Sequence, residues 1–385
     1  MGGDAREFDI TVLGATGFTG RLIASYLSDH APAATRIALA ARDRAKLESV
    51  RAAEAADFEL VDVDVEDAVA MRGVAERTRV LITTVGPYMH RGDAVVGACA
   101  EAGTDYLDLT GEPEFFDLTY LRHHARASET GARLVHACGF DSVPHDLGVQ
   151  MTVESLPEDV PLEVRGLVYV HGTFSGGTAA SALEIMARQR VARSVHDVRR
   201  RVEPAPGDRK VRIAQRNVGR DADTGSWVVP MPTIDPLVVA LSARQLGRYG
   251  PDFTYSHCLA SATPLGAAGA VAGAGALFVA AQVPAFRRAI TRFRPPGSGP
   301  SPAQRERSRF AVRFFGEGGG SRVSVEVSGG DPGYTETSKM ISEAALCLAH
   351  DDLPSTSGQV TTASAMGVAL RSRLQSAGIR FEVTS

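Results

Sequence analysis

The sequence predicts an α/β fold: a doubly wound parallel sheet over residues 1–147, followed by an α+β domain over 148–385. Three features predict it. The strand Asp9-Ile10-Thr11-Val12-Leu13 runs straight into glycines at positions 14, 17 and 20 and then into an apolar helix. Strand-like and helix-like segments then alternate as far as residue 137, the rhythm of parallel strands joined by right-handed crossovers. Beyond residue 147 that rhythm gives way to period-two alternation and a glycine-rich turn, the mark of an antiparallel hairpin.

Each element has a local reason. Gly14 allows a tight turn after the first strand, Gly17 leaves the backbone open to close approach, and Gly20 lets the following helix pack on the strand. The second strand, 36–41, is a short apolar run ending at Arg42, and an alanine-rich charged helix follows over 43–56. A third strand at 58–63 and a helix at 66–76 come next. A fourth strand at 80–85 ends on Gly86-Pro87-Tyr88, with a helix at 94–102. The fifth strand, 106–109, precedes a mostly helical 115–131, and the sixth is 133–137. In the second domain a strand is expected at 162–171, a helix at 178–198, and a loop or hairpin in the polar stretch 203–224. Segments 309–315 and 322–327 pair about a turn at 316–320, helices follow at 335–349 and 360–377, and 294–302 is a Pro/Gly linker.

The chain has 385 residues and a net charge of −4, which argues against a general nucleic-acid binder. Its four cysteines lie far apart and form no Cys/His cluster, so a reducing setting is expected and a metal is not. Asp4, Arg6, Glu7 and Asp9 precede the first strand where a signal segment would be basic and then apolar, so a cytoplasmic location is expected. The stretch 258–286 carries no charge, is rich in Ala and Gly, and is followed by Arg287, Arg288, Arg292 and Arg294. Pro264 and Pro284 bracket its centre. Three readings stand: a helix pair touching the inner face of a membrane or an acyl substrate, a core or dimer helix, and a membrane span. The span is disfavoured because it would separate the 309–327 hairpin from its domain.

A strand, a glycine turn and a helix N-terminus together form an anion cradle. Gly14, Thr16, Gly17, Phe18, Thr19 and Gly20 are therefore the candidate binding site for a dinucleotide pyrophosphate, in a Rossmann-type domain. The end of the second strand selects the coenzyme. Arg42, with Lys46 beyond it, suits the 2′-phosphate of NADP, while Asp43 is the competitor that would favour NAD. Asp64, after the third strand, is a candidate neighbour of the adenine or a plain surface residue. Gly86 and Pro87 form a turn expected beside the nicotinamide ribose.

Three residues are candidates for proton chemistry. Tyr88 is either a donor or an aromatic wall of the pocket. Asp141 and His145, after the sixth strand, would orient substrate or relay a proton, with capping of the next helix by Asp141 and Ser142 as the alternative. Cys138 reads as a buried thiol before it reads as a nucleophile. No Tyr-x-x-x-Lys follows any tyrosine, which excludes the short-chain dehydrogenase acid/base pair. Ser175-Gly176-Gly177-Thr178 offers another anion or carbonyl cradle.

Taken together, Gly14-Ala15-Thr16-Gly17-Phe18-Thr19-Gly20, Val85-Gly86-Pro87-Tyr88, Asp108-Leu109-Thr110-Gly111-Glu112 and Ala137-Cys138-Gly139-Phe140-Asp141-Ser142-Val143-Pro144 resemble the saccharopine dehydrogenase-like oxidoreductases. Ser175-Gly176-Gly177-Thr178, Gly329-Gly330-Asp331-Pro332-Gly333-Tyr334 and Ser357-Gly358-Gln359-Val360 resemble its actinobacterial branch, which includes trans-acting enoyl reductases of lipid synthesis. The resemblance implies an NADP-binding Rossmann domain, a substrate domain, a homodimer and contact with membranes or lipid. The expected activity is NADPH-dependent reduction of a double bond in a lipid or polyketide acyl group. The rivals are a saccharopine-type amino-acid dehydrogenase and a non-catalytic NADP-binding, lipid-associated protein.

Overall fold

The computed structural model describes residues 6–55, 57–172, 176–231, 233–282 and 299–385, without the side chains of 176–184, 280 and 282. Along the chain, β1 (Phe8–Leu13), α1 (Phe18–His30), β2 (Ile37–Ala41), α2 (Arg44–Glu54), β3 (Glu59–Asp62) and α3 (Ala68–Glu76) form the first half of a wound sheet. β4 (Thr78–Thr83), α4 (Tyr88–Ala102), β5 (Asp105–Asp108), α5 (Pro113–Thr130) and β6 (Arg133–Val135) form the second. Then come α6 (Val143–Glu154), β7 (Leu162–His171), α7 (Gly176–Val202), β8 (Lys210–Ile213), β9 (Gly219–Arg220), β10 (Trp227–Pro230), α8 (Asp235–Gln245) and β11 (Asp252–Ser261). The chain ends with α9 (Pro264–Gln282), α10 (Pro302–Arg307), β12 (Arg309–Gly318), β13 (Ser321–Gly329), α11 (Thr335–His350), β14 (Gly358–Val360), α12 (Thr362–Ala365), α13 (Gly367–Ser376) and β15 (Arg380–Val383).

Two compact units result. The first comprises Met1–Phe140 with Tyr334–Ala377, and the second Asp141–Gly333 with Gly378–Ser385. The first unit holds a parallel sheet in the order β14-β6-β5-β4-β1-β2-β3, the doubly wound arrangement read from the sequence plus one strand from near the chain's far end. β1 and β2 are buried on both faces, which is why they read as continuous apolar runs. Asp43 and Asp67 start α2 and α3 by accepting backbone N–H bonds. On one side Leu81, Val95, Val96, Cys99, Tyr106 and Phe115 close the core. On the other, α11 packs on α1 and against β1 and β4, burying Met340, Ile341, Ala344 and Ala345. Residues 334–377 therefore belong with the first unit and not with the stretch 148–385 in which the sequence reading put them. An apolar helix face needs a sheet to cover, and the first sheet supplies it.

The second unit holds a mixed sheet in the order β15-β13-β12-β7-β11-β10-β9, with β8 pairing β11. β12 and β13 form the expected hairpin, with Phe310 level with Gly329 and Gly318 with Ser321. The polar stretch 203–224 contains β8, which runs parallel to β11, and the short β9. α6 packs on β7, β12, β13 and α8. Gly148 permits this, because a Cβ there would lie 2.2 Å from the Phe314 ring.

Candidate functional site

Parallel register brings the chain just after each strand of the first sheet to one rim. Leu13 is level with both Ala40 and Thr83, Thr83 with Asp108, and Leu107 with Val135. Gly14, Arg42, Thr84, Leu109 and His136 follow along that rim. Gly14 has φ +86°, and a Cβ on it would lie 2.7 Å from Thr84 Oγ1 and 2.8 Å from Val85 Cγ2. Both facts demand glycine. Gly17 is the N-cap of α1 and supplies no capping side chain. The N-cap residue therefore offers the first turn no acceptor of its own, and this turn, at the positive end of a 13-residue helix, is the candidate anion site.

α4 begins on the same rim and shows the contrast. Its first N–H groups, Tyr88 N and Met89 N, donate to the buried Glu112 carboxylate at 3.1 and 2.9 Å. One helix start is filled by the protein's own anion, whereas the N-cap residue of the other, Gly17, offers none.

Arg42 is exposed immediately after β2 and makes no ion pair among the described residues. Asp43, its competitor, is committed: its carboxylate accepts from Lys46 N at 3.1 Å and pairs with Lys46 Nζ at 3.1 Å, which together hold its pKa down. Arg44 is drawn to Glu48 and the Leu60 carbonyl. Asp64 is exposed and accepts from Glu66 N at 3.1 Å, a turn bond that holds it near the end of β3. Gly86-Pro87 is a cis peptide, and Pro87 is the N-cap of α4.

Tyr88 does not fit the role of proton donor. Its buried hydroxyl donates to the Thr83 carbonyl at 3.1 Å and accepts from Leu109 N at 3.2 Å, tying β4 to the loop after β5. Burial first, and the nearby Asp108 carboxylate second, push its pKa well above the ordinary range. Its ring belongs to the core of the first unit and packs beside Phe115. Cys138 is likewise buried, its thiol donating to the Val135 carbonyl at 3.4 Å.

Asp108 organises the far part of the rim. Its Oδ1 accepts from Thr110 N and Ala137 N, at 3.0 and 2.8 Å, and its Oδ2 from Tyr106 Oη, at 3.0 Å. His136 Nδ1 lies 2.6 Å from the same Oδ2, with Nε2 on Thr119 Oγ1 at 3.0 Å. The rings of Tyr106, Phe115 and Phe116 enclose His136. No spacing motif announces this network, although the Asp108-x-Thr110 turn is a local signal for its first bond.

In the second unit, Asp141 and His145 keep different company. Ser142 occupies the N-cap position of α6, but its hydroxyl makes no capping bond. His145 Nδ1 lies 2.9 Å from Asp235 Oδ1, and His257 Nε2 lies 3.7 Å from Asp235 Oδ2. Tyr255 Oη lies 3.1 Å from His257 Nδ1. All four side chains are buried. Burial first would raise Asp235, but His145 and His257 hold its pKa down, while desolvation holds His257 at about 4. Asp141 is solvent-exposed. Asp235 and His257 are invisible to sequence reasoning, since they stand far from His145 in the chain; the only local hint is the inward-facing Tyr255-x-His257 pair on one strand. Ser175 of the proposed second cradle, and the Arg287 to Arg294 flank, lie outside the described residues.

Comparison with known proteins places this geometry among relatives. Residues 10–135 match the model of the saccharopine dehydrogenase NADP binding domain. The chain is 37% identical to a Mycobacterium tuberculosis relative over 98% of each protein. It is 35% identical to a trans-acting enoyl reductase of M. tuberculosis over 97% of each, and 34% identical to that of M. ulcerans over 100% and 99%. In fold it is similar to apo saccharopine dehydrogenase (L-Glu forming) from Saccharomyces cerevisiae, with a TM-score of 0.54 at 11% identity over 98% and 99% of the two chains.

Proposed function

Since the chain belongs to the saccharopine dehydrogenase-like family that includes the mycobacterial trans-acting enoyl reductases, and is an NADP-dependent oxidoreductase, we propose that it reduces the double bond of a lipid or polyketide acyl group. The observation that carries the proposal is the glycine turn into α1, where Gly14 and Gly20 leave no room for a Cβ, with Arg42 exposed after β2, in a chain similar to enoyl reductases over its whole length. In this reading Gly14, Thr16, Gly17, Phe18, Thr19 and Gly20 hold the pyrophosphate. Arg42 grips the 2′-phosphate with Lys46 as an outlying cation, Asp64 borders the adenine, and Gly86 and Pro87 border the nicotinamide ribose. When bound, the reduced nicotinamide supplies a hydride to the β-carbon of the acyl group.

Asp141 is then the proton donor to the α-carbon. Its place just beyond β6, where the chain leaves the carboxyl end of a parallel strand, is what supports the role. His145, whose Nδ1 lies 2.9 Å from Asp235 Oδ1, is the second candidate for the relay. The charge-free α9, with Leu265 81% and Val279 65% exposed, suits an acyl chain or the inner face of a membrane better than a polar amino acid. The contact proposed is peripheral, at the cytoplasmic side; no helix among the described residues is long and apolar enough to cross a membrane. A homodimer formed through the same face is the competing use of α9.

The test is turnover. Purified protein with NADPH is expected to consume the coenzyme with α,β-unsaturated acyl thioesters and not with saccharopine precursors. Asp141→Asn should lower kcat on the order of 10²- to 10⁴-fold while leaving NADPH affinity unchanged. Turnover with the amino-acid precursors alone would replace this reading with the dehydrogenase one.

A further inference from the structure

We propose that His145, Asp235 and His257 form a binding site for one divalent d-block cation of the zinc class. The sequence raises no expectation of a metal, because the three residues come from separate elements: α6, the first turn of α8, and β11. The fold nevertheless brings one ligand atom from each to within 4.8 Å of the others, all of them buried. Bonds of roughly 2.0–2.2 Å from zinc to nitrogen and oxygen place neighbouring ligand atoms about 3–3.5 Å apart. The observed 2.9 Å between His145 Nδ1 and Asp235 Oδ1, and 3.7 Å between His257 Nε2 and Asp235 Oδ2, straddle that spacing.

A pure hydrogen-bond network explains the arrangement less well. His257 Nε2 is buried, makes no hydrogen bond, and stands too far from Asp235 to make one. Its other nitrogen is held at 3.1 Å by the Tyr255 hydroxyl. That is the outer-shell bond by which a ligating imidazole is oriented. Two imidazoles and one carboxylate are a donor set suited to zinc and its neighbours. Three protein ligands leave a further position for water, the pattern of zinc sites that are not purely structural.

This inference does not rest on the enoyl reductase reading, and its test needs no turnover. The full-length protein, stripped by dialysis against chelator, is equilibrated with one equivalent of Zn²⁺ in competition with a chromophoric chelator, and in parallel with Co²⁺. Wild type should retain one equivalent and give the visible bands of a nitrogen-rich cobalt site. His257→Gln and Asp235→Asn should lose it, while the surface variant His123→Gln keeps it. Tyr255→Phe, which removes only the outer hydrogen bond, should weaken affinity about 10- to 100-fold and decides the matter if the ligand variants do not fold. Failure of the wild type to retain Zn²⁺, or equal retention by wild type, His257→Gln and Tyr255→Phe, would overturn the proposal and leave a buried histidine–aspartate cluster.

Discussion

A Cβ on Gly20 would lie 2.3 Å from the Gly14 carbonyl oxygen and 2.8 Å from Ala15 Cα, backbone atoms that no rotamer change can move aside. Gly20→Ala must therefore push α1 away from the turn, at a cost of about 1–3 kcal/mol. It should lower the melting temperature and weaken NADPH binding at least about tenfold, the equivalent of 1.4 kcal/mol; a titration with unchanged affinity would show that the cradle tolerates the shift. The three glycines were legible because a strand-to-helix turn with this spacing has few other physical uses. Arg42 was legible as a candidate, but not the reason Asp43 is already engaged. That reason is local, since the Asp43 carboxylate is spent on the start of α2. Tyr88 was only half legible: its position at the rim follows from the sequence, whereas the main-chain partners that occupy its hydroxyl do not.

At the scale of elements, the helices of the first unit are held at their ends by long-range groups. α4 starts at Tyr88, six residues before the start expected at position 94, because Glu112 from the β5–α5 loop satisfies its first N–H groups. No local pattern encodes a cap donated from across the sheet. The short β14, only three residues, and β15 are unreadable for a related reason: neighbouring strands create them, not a pattern of their own. The outer surfaces of α4 and α5 are joined by Asp93, which pairs with His123 and Arg122 at 3.0 Å each. The His123 hydrogen bond, and then Arg122, hold the Asp93 carboxyl at about 2, below its ordinary 3.8. A folded-state value below the unfolded one contributes stability that is present above about pH 4 and lost as pH falls toward 2. Urea midpoints of wild type and Asp93→Asn should therefore differ near neutrality and converge across that acid window. A gap that stayed constant with pH would remove the ion pair from the explanation.

Across the whole molecule, the chain leaves the first unit after Phe140, returns at Tyr334, and leaves again after Ala377. The return delivers α11 to a sheet face that would otherwise expose apolar side chains, a pairing settled by packing and not by chain order. The uncharged composition of α9 was legible, and its exposure of Leu265, Phe278 and Val279 excludes the core-helix reading within one subunit. Replacing these three by aspartate should abolish co-sedimentation with anionic vesicles. If wild type ignores vesicles but the variant turns from dimer to monomer, the face is a subunit interface instead. The account as a whole stands on a diphosphate held at the start of α1 with a 2′-phosphate at Arg42. Its most direct test is calorimetric titration of NADPH and NADH into wild type and Arg42→Ala. The expected result is tighter binding of NADPH by wild type and a loss of about tenfold or more on substitution, with NADH affinity nearly unchanged; equal loss for both coenzymes, or no binding of either, would contradict it.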